Sequence, residues 1–418
     1  MKKFFAVLLA LCLATSLFVG CGPAGDDGAL KIGVILIGDE NEGYTFAHID
    51  GIKKAVEALG GEEKVKVIWK YSVLEDESCA ETAIDLVESG CTYIFSNSYG
   101  HQSHMQQVAT EYPDVKFVAV TGDTAKTSGL ANLSNAFNDT YESRYVSGVV
   151  AGMKIKELVD GNKLTDKNFD ADGNVKIGYV GAFPYAEVVS GYTAFFLGVK
   201  SVYEKVSMEV SYTNSWFSIT DEKAAAEAFV AAGCVIVSQH ADSTGAPSAV
   251  EDANKKGTTV FCVGYNIDML AVAPTAALTS ATNDWSVYYT YAIGQALKGE
   301  SIATNWAEGY SKGAVGITKL GPACAAGTAE AVAAAEEGLK NGTLKVFDTS
   351  KFTAAAADGV TVDANGHVTA YLADIDGDFT GETNVVKDGY IDESNAEEFR
   401  SAPYFALRID GIKENIKG

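Results

Sequence analysis

The sequence predicts an α/β protein of two Rossmann-like lobes joined by a hinge, each lobe built on a parallel sheet, followed by a small β-rich appendage. Three observations predict it. Continuous apolar runs of strand length alternate with amphipathic runs of helix length, the pattern of parallel strands covered on both faces. The series restarts, with Lys31-Ile32-Gly33-Val34 and Lys176-Ile177-Gly178-Tyr179 opening two similar β-α successions. Near the C-terminal end the helical period gives way to alternating apolar and polar residues around Asn365-Gly366, a β-hairpin signal.

The elements follow in order. "KIGVILIG" (31–38), "KVIWKYS" (66–72), "YIFSNS" (93–98) and "KFVAVTG" (116–122) read as strands. Between them, 44–59 and 77–90 carry apolar residues at helical spacing. A long helix spans about 141–158, and the turn-rich "DGNKLTDKNFDADGN" (160–174) separates it from the second series. There "KIGYVGA", "GCVIVSQ" and "TVFCVGY" are strands, with helices near 186–203, 221–232 and 245–256. In open parallel sheets ligands bind beyond the carboxyl ends of the strands. That rule points to the loops "GDENEGY", "SNSYGH", "GAFPYAE", "TNSWFS", "SQHADS" and "GYNIDM".

The N-terminus carries an address. Met1-Lys2-Lys3 is a short basic stretch, Phe4–Val19 is apolar and too short for an ordinary span, and Gly20-Cys21 precedes small, polar and acidic residues. This is the pattern of a bacterial lipoprotein signal over 1–20, with Cys21 bearing the lipid and 21–29 acting as a tether; a plain secretory signal and an uncleaved anchor are the alternatives. The expected location is extracytoplasmic, attached to the membrane only through that lipid. A formal net charge of -23 disfavours nucleic-acid binding, because phosphates would be repelled. Cys79, Cys91, Cys234, Cys262 and Cys324 lie mostly in apolar periodic segments, contain no CxxC, and read as core thiols.

At the predicted strand ends aromatic and amide side chains accumulate: Tyr44, Tyr99, Trp216 and Trp285, with Asn41, Asn97, Asn214, Asn266 and Asn283. Ring faces stack on flat ligands, and amides or carboxylates read their hydrogen-bonding edges. Within "VSYTNSWFSITDE" (210–222) the reading expects Trp216 to face the cleft and Phe217 to pack inward. His240-Ala241-Asp242 offers a polar ligand contact, and a catalytic role lacks any nucleophile on a G-x-S-x-G elbow. His101 and His104 stand three apart without a third ligand, so no metal is expected there. "DADGN" (170–174) and "DIDGD" (374–378) echo part of a calcium loop but lack its terminal Glu, and read as turns. No phosphate-binding loop or cofactor motif is found, and no cofactor is expected.

These pieces resemble the basic membrane protein (BMP) family of substrate-binding lipoproteins. The matching segments are "KIGVILIGDENEGYTFAHIDGIKKA", "NDTYESRYVSGVVAG", "GYVGAFPYAEVVSGYTAFFLGVKSV", "NSWFSITDEKAAA" and "GYNIDM…LTS". The resemblance implies a type-I periplasmic-binding-protein fold that delivers purine nucleosides or related compounds to the permease of an ABC importer. The expected division is a first lobe from 29–140 with 266–305, a second from 141–265 with 306–344, and a β-rich accessory segment over 345–418. Tyr44 matches the family's stacking aromatic, Ser98 and Tyr99 its Ser-Phe pair, and Trp216 or Phe217 the second lobe's aromatic. Asn266 stands where many members carry an Asp for ribose hydroxyls, Asn283 where they carry a Lys, and Asp242 in place of a Gly-rich loop. Those departures, with "SWF", "QHADS" and "NDW", are similar to a subgroup associated with free purine bases.

The expected function is therefore a monomeric, lipid-tethered binding protein for a purine base or nucleoside. The expected contacts are Tyr44, Ser98, Tyr99, Trp216, Asp242 and Asn266. Two alternatives stay open at this point: a sensory receptor, or a binder of a sugar or signal molecule, on the same fold. An enzyme such as a nucleosidase would need a metal or general base that the sequence does not supply.

Overall fold

The structure, a computed structural model, describes residues 28–415. The signal segment and the lipid-bearing Cys21 expected from the sequence lie outside the described residues. The first half comprises β1 (Leu30–Ile35), α1 (Gly43–Ala58), β2 (Val65–Lys70), α2 (Glu77–Glu88), β3 (Tyr93–Ser96), α3 (Gln102–Glu111), β4 (Lys116–Val120) and β5 (Leu133–Asn138). The strands are parallel in the order β5-β4-β3-β1-β2. Because successive strand residues point to opposite faces, Ile32 and Val34 pack beneath α1 while Ile35 and Ile94 pack on the side of α2 and α3.

Then come α4 (Thr140–Asp160), β6 (Val175–Gly181), α5 (Ala186–Val202), β7 (Val206–Tyr212), α6 (Ile219–Ala232), β8 (Ile236–Gln239), α7 (Gly245–Lys255), β9 (Phe261–Tyr265) and β10 (Ala277–Asn283). The chain continues with α8 (Trp285–Lys298), β11 (Asn305–Glu308), β12 (Val315–Ile317) and α9 (Thr328–Lys340). The second sheet runs β12-β10-β9-β8-β6-β7, parallel except for β12 on β10. The α/β class and the two parallel sheets agree with the sequence.

The partition between lobes differs from expectation in two places. Residues 277–283, expected in the first lobe, form β10 of the second sheet, whereas β11 joins β5 in the first sheet. Helix α8 does return to the first lobe, where Trp285, Tyr289 and Ile293 complete its core. The reason is legible only in three dimensions. "ALTSATN" has no long apolar run, and its Thr279 hydroxyl is satisfied by the Thr318 carbonyl at 2.8 Å. The chain thus passes between lobes three times. Asn283 joins two of the passages, accepting from Thr140 Oγ1 at 2.8 Å and from Asn138 Nδ2 at 3.3 Å.

Helices α4 and α5 meet at glycines. A Cβ on Gly148 would lie 2.1 Å from the Phe195 carbonyl oxygen, and one on Gly198 2.1 Å from that of Tyr145. Only hydrogen fits at such an approach.

The segment after α9 is more integrated than an appendage. Two three-stranded sheets form, ordered 347–348/390–391/386–387 and 360–362/368–373/383–384. The expected hairpin closes at Gly366, whose φ is +85°, with Gly366 N bonded to Asp363 O. Phe347, Tyr404, Phe405 and Ile409 enter the core of the second lobe. Ile412–Asn415 then adds a parallel strand to the free edge of β7.

Candidate functional site

The carboxyl ends of β1, β3 and β4 face those of β6 through β9 across a cavity of about 380 Å³. This is where parallel α/β sheets place ligands, since each strand end delivers its loop to the same rim.

From the first lobe come Tyr44, Asn97, Ser98 and Tyr99. Tyr44 stands in the first turn of α1, capped by Glu42, whose carboxylate accepts from Tyr44 N at 2.9 Å and Thr45 N at 3.0 Å. The Tyr44 hydroxyl donates to the Asn97 carbonyl, and Asn97 Oδ1 in turn accepts from Ile37 N at 2.9 Å. Ser98 Oγ donates to Glu75 at 2.6 Å, and the Tyr99 hydroxyl to Asp123 at 2.9 Å. The Tyr44 and Tyr99 rings and the Asn97 amide are therefore held in place by bonds within the first lobe.

The second lobe supplies Trp216, Phe217, Glu187, His240, Asp242 and Tyr265. The Trp216-Phe217 turn is fixed between Asn214, at φ +55°, and Ser218, whose hydroxyl caps α6 by accepting from Asp221 N at 3.3 Å. Trp216 packs edge-on to Phe183 with centroids 5.1 Å apart, and Tyr185 stacks on Phe183 at 5.1 Å. Tyr185 also meets Tyr99 of the opposite lobe at 5.9 Å. An aromatic series thus spans the cleft.

Phe217 corrects one expectation. It does not pack inward: it is 40% exposed and lines the cavity beside Trp216. The short turn before α6 leaves no interior position for it, and the covered slot against Phe183 is already taken by Trp216.

Four carboxyls, Asp39, Glu42, Glu187 and Asp242, belong to the lining. Burial raises Glu187 to about 7 despite the attraction of Arg144, and burial together with Glu42, Glu222 and Glu187 raises Asp242 well above the carboxylate range. Burial also raises Glu42. His240, 3.4 Å from Glu187, is pushed well below the usual histidine range by burial and then by Arg144, and so is neutral. Glu187 and Asp242, raised so far, offer a donor as well as an acceptor near neutral pH. Beneath the floor Arg144 is fully buried, its guanidinium 3.6 Å from the Tyr265 ring centre and bonded to the Gln239 carbonyl at 2.6 Å. Nε and one amino group of Arg144 have no partner among the described residues.

Of the six ligand contacts expected from sequence, Tyr44, Ser98, Tyr99, Trp216 and Asp242 line the cavity. Asn266 does not. At φ +61° it sits behind Asp242 and donates to its carboxylate at 2.7 Å. Asn283 belongs to the lobe crossings, and Trp285 is a core residue stacked on His48 at 4.2 Å. Glu42, Glu187 and Tyr265 line the site without having been singled out. Their loops were named by the strand-end rule, but which side chain turns inward was not legible. His101 bonds the Val73 carbonyl at 3.0 Å. Asp170 closes its turn by accepting from Asp172 N and Asn174 N. The carboxylates of Asp374, Asp376 and Asp378 lie within 4.8 Å of one another on the surface. No described helix is long and apolar enough to cross a membrane.

Residues 30–347 match the family model described as ABC transporter substrate-binding protein, PnrA-like. The chain is 33% identical to a purine-binding protein of Brucella abortus over 72% of this chain and 77% of that one. It is 30% identical to a protein of Haloferax volcanii described as an ABC transporter glucose-binding protein, over 74% and 72% of the two chains. A solved ABC transporter solute-binding protein from Aeropyrum pernix superposes with a TM-score of 0.62 at 16% identity, covering 76% of this chain and 93% of that one.

Proposed function

Since the chain belongs to the PnrA-like family of ABC transporter substrate-binding proteins, we propose that its ligand is a purine base or purine nucleoside held between the lobes. The observation that carries the reading is the facing of rings from both lobes, Tyr44 and Tyr99 against Trp216 and Phe217, around one cavity. Stacking supplies affinity for a flat heterocycle. Glu187 and Asp242 supply polar atoms for the edge of a base. The name of the Brucella relative supports the same class.

The mechanism follows from the three crossings. Lobes joined by short passages close by hinge motion, and ligand bridging both walls stabilises the closed form. That form would be presented to the permease. The family is one of solute-binding proteins, and no reaction is assigned to the cleft. We further infer an extracytoplasmic monomer tethered through Cys21. Partition of the expressed protein into a detergent phase, lost on Cys21→Ala, tests the tether.

A thermal-shift panel of adenine, guanine, hypoxanthine, adenosine, inosine and glucose tests the ligand, because binding to the native state raises Tm by mass action. Absence of any purine shift at millimolar concentration would sink the proposal. A glucose shift alone would select the sugar reading, which the Haloferax relative and the carboxyl-rich lining favour.

A further inference from the structure

The matched family region ends at residue 347, and the segment beyond it touches both lobes beside the ligand cleft. On the first lobe, Lys126 Nζ donates to the carbonyls of Glu397 and Glu398 at 3.1 and 2.7 Å, and Asn305 Nδ2 to that of Phe399 at 3.1 Å. On the second, Ser190 donates to buried Glu393, which also accepts from Tyr404 N at 3.1 Å. A second cavity of about 320 Å³ lies against the ligand cleft, sharing Tyr99, Thr121 and Glu187 with it. Its far wall is this segment, through Tyr371, Arg400 and Tyr404.

Arg400 is the point of contact that reaches the ligand site. Only 5% exposed, it donates through Nε to the Ala402 carbonyl at 3.3 Å and through one amino group to that of Pro403 at 2.7 Å. Its other amino group lies 3.1 Å from Asp123 Oδ2, the same oxygen that accepts from the Tyr99 hydroxyl at 2.9 Å. Asp123 is 2% exposed and held by Gln102 through its backbone N–H at 2.9 Å. One buried oxygen therefore joins a ring of the ligand cleft to the C-terminal segment. A carboxylate so enclosed keeps its position only while its cation is present, because an unpaired buried charge rearranges or draws in water.

We propose that Arg400 is a positioning residue for the ligand cleft: acting through Asp123, it sets the orientation of the Tyr99 ring, so that the C-terminal segment helps determine ligand affinity. The inference rests on the cleft's being the ligand site. A bland alternative is that Arg400 merely anchors the segment. The two differ in whether the effect passes through the Tyr99 hydroxyl.

The test is a double-mutant cycle between Arg400→Gln and Tyr99→Phe, read by titration with adenine and adenosine, with 3-fluorotyrosine placed at position 99 for a ligand-free readout. Positioning predicts about tenfold weaker binding for Arg400→Gln, no further loss in the Tyr99→Phe background, and partial recovery with Arg400→Lys. It also predicts a shifted fluorine resonance in ligand-free Arg400→Gln and a near-parental one in Arg400→Lys. Unchanged affinity, fully additive losses, or an unmoved resonance would each overturn it. If Arg400→Gln does not fold, Asp123→Asn with Arg400→Gln removes both charges together and takes its place in the cycle. If the parent protein binds no purine, the ligand reading fails, and the fluorine resonance alone decides whether Arg400 positions Tyr99.

Discussion

The backbone N–H of Asp242 donates to the carbonyl of Trp216 at 2.8 Å, so an aromatic ring and a buried carboxyl of the cavity lining are carried on one linked pair of loops. Trp216 is further braced by Phe183 and Tyr185, with centroids at 5.1 and 6.1 Å. Phe217 is more exposed and has no such ring contact among the described residues. Rigid rings lose less entropy on binding, so the braced ring should contribute more.

Trp216→Ala is accordingly expected to weaken purine binding roughly 5- to 150-fold, the value of about 1–3 kcal/mol for one stacked base. Phe217→Ala should cost less. Titration calorimetry on variants with parental circular dichroism checks this. A larger loss for Phe217→Ala would reverse the assignment within the pair.

Asn266 reaches the cavity lining only through its bond to Asp242. Asn266→Gly keeps the left-handed backbone at φ +61° and removes the amide donor. Affinity should fall by about 1 kcal/mol, some fivefold, and Tm should fall too, because a buried carboxyl loses its donor. Parental affinity in this variant would show that the Asp242 rotamer does not matter.

Stability should decline as pH rises from 6.5 to 8. Burial raises Glu187, Glu222 and Glu393 each to about 7, so the native state holds protons there that the unfolded state has already released. The missing protons in the unfolded chain make stability fall with pH, by roughly 1 kcal/mol per carboxyl across this window. His48 and His240 are lowered by burial and act in the opposite sense, but only below about 6.5, where the unfolded imidazole protonates. Urea titrations at several pH values measure the slope. It should be shallower in Glu393→Gln, and a rising slope would contradict the assignment.

Gly198→Ala should destabilise by about 3 kcal/mol or more. Its new Cβ would meet a backbone oxygen at 2.1 Å, and a helix axis cannot yield as a side chain can. Gly294→Ala in α8 is the control, because the nearest atom to its Cβ is a leucine methyl at 3.6 Å. Helix propensity alone should make that change neutral or stabilising by up to about 1 kcal/mol. Equal losses in both variants would refute the close-approach argument.

Much of the site's location was readable because it depends on local pattern. The loops after β1, β3, β6, β7, β8 and β9 were all named from strand ends, and they converge on the cavity. Which residues turn into it depended on neighbours remote in sequence. Glu187 enters from a loop whose aromatics face Trp216, and Asn266 is outside the lining, bonded to Asp242, which is in it.

Alternation of apolar strands with amphipathic helices determined the α/β class, the repeated Lys-Ile-Gly openings the two sheets, and the hairpin at Gly366 the change of character in the tail. Each is a consequence of local period and backbone freedom, which a sequence carries on its face. The tertiary structure alone decided the ownership of β10 and β11 and the strand that residues 412–415 add to β7. It also decided that Arg400 and Tyr99, 301 positions apart, share one oxygen of Asp123. Pairing of a sheet edge and burial of a charge are set by what lies across space, and no period along the chain encodes that partner.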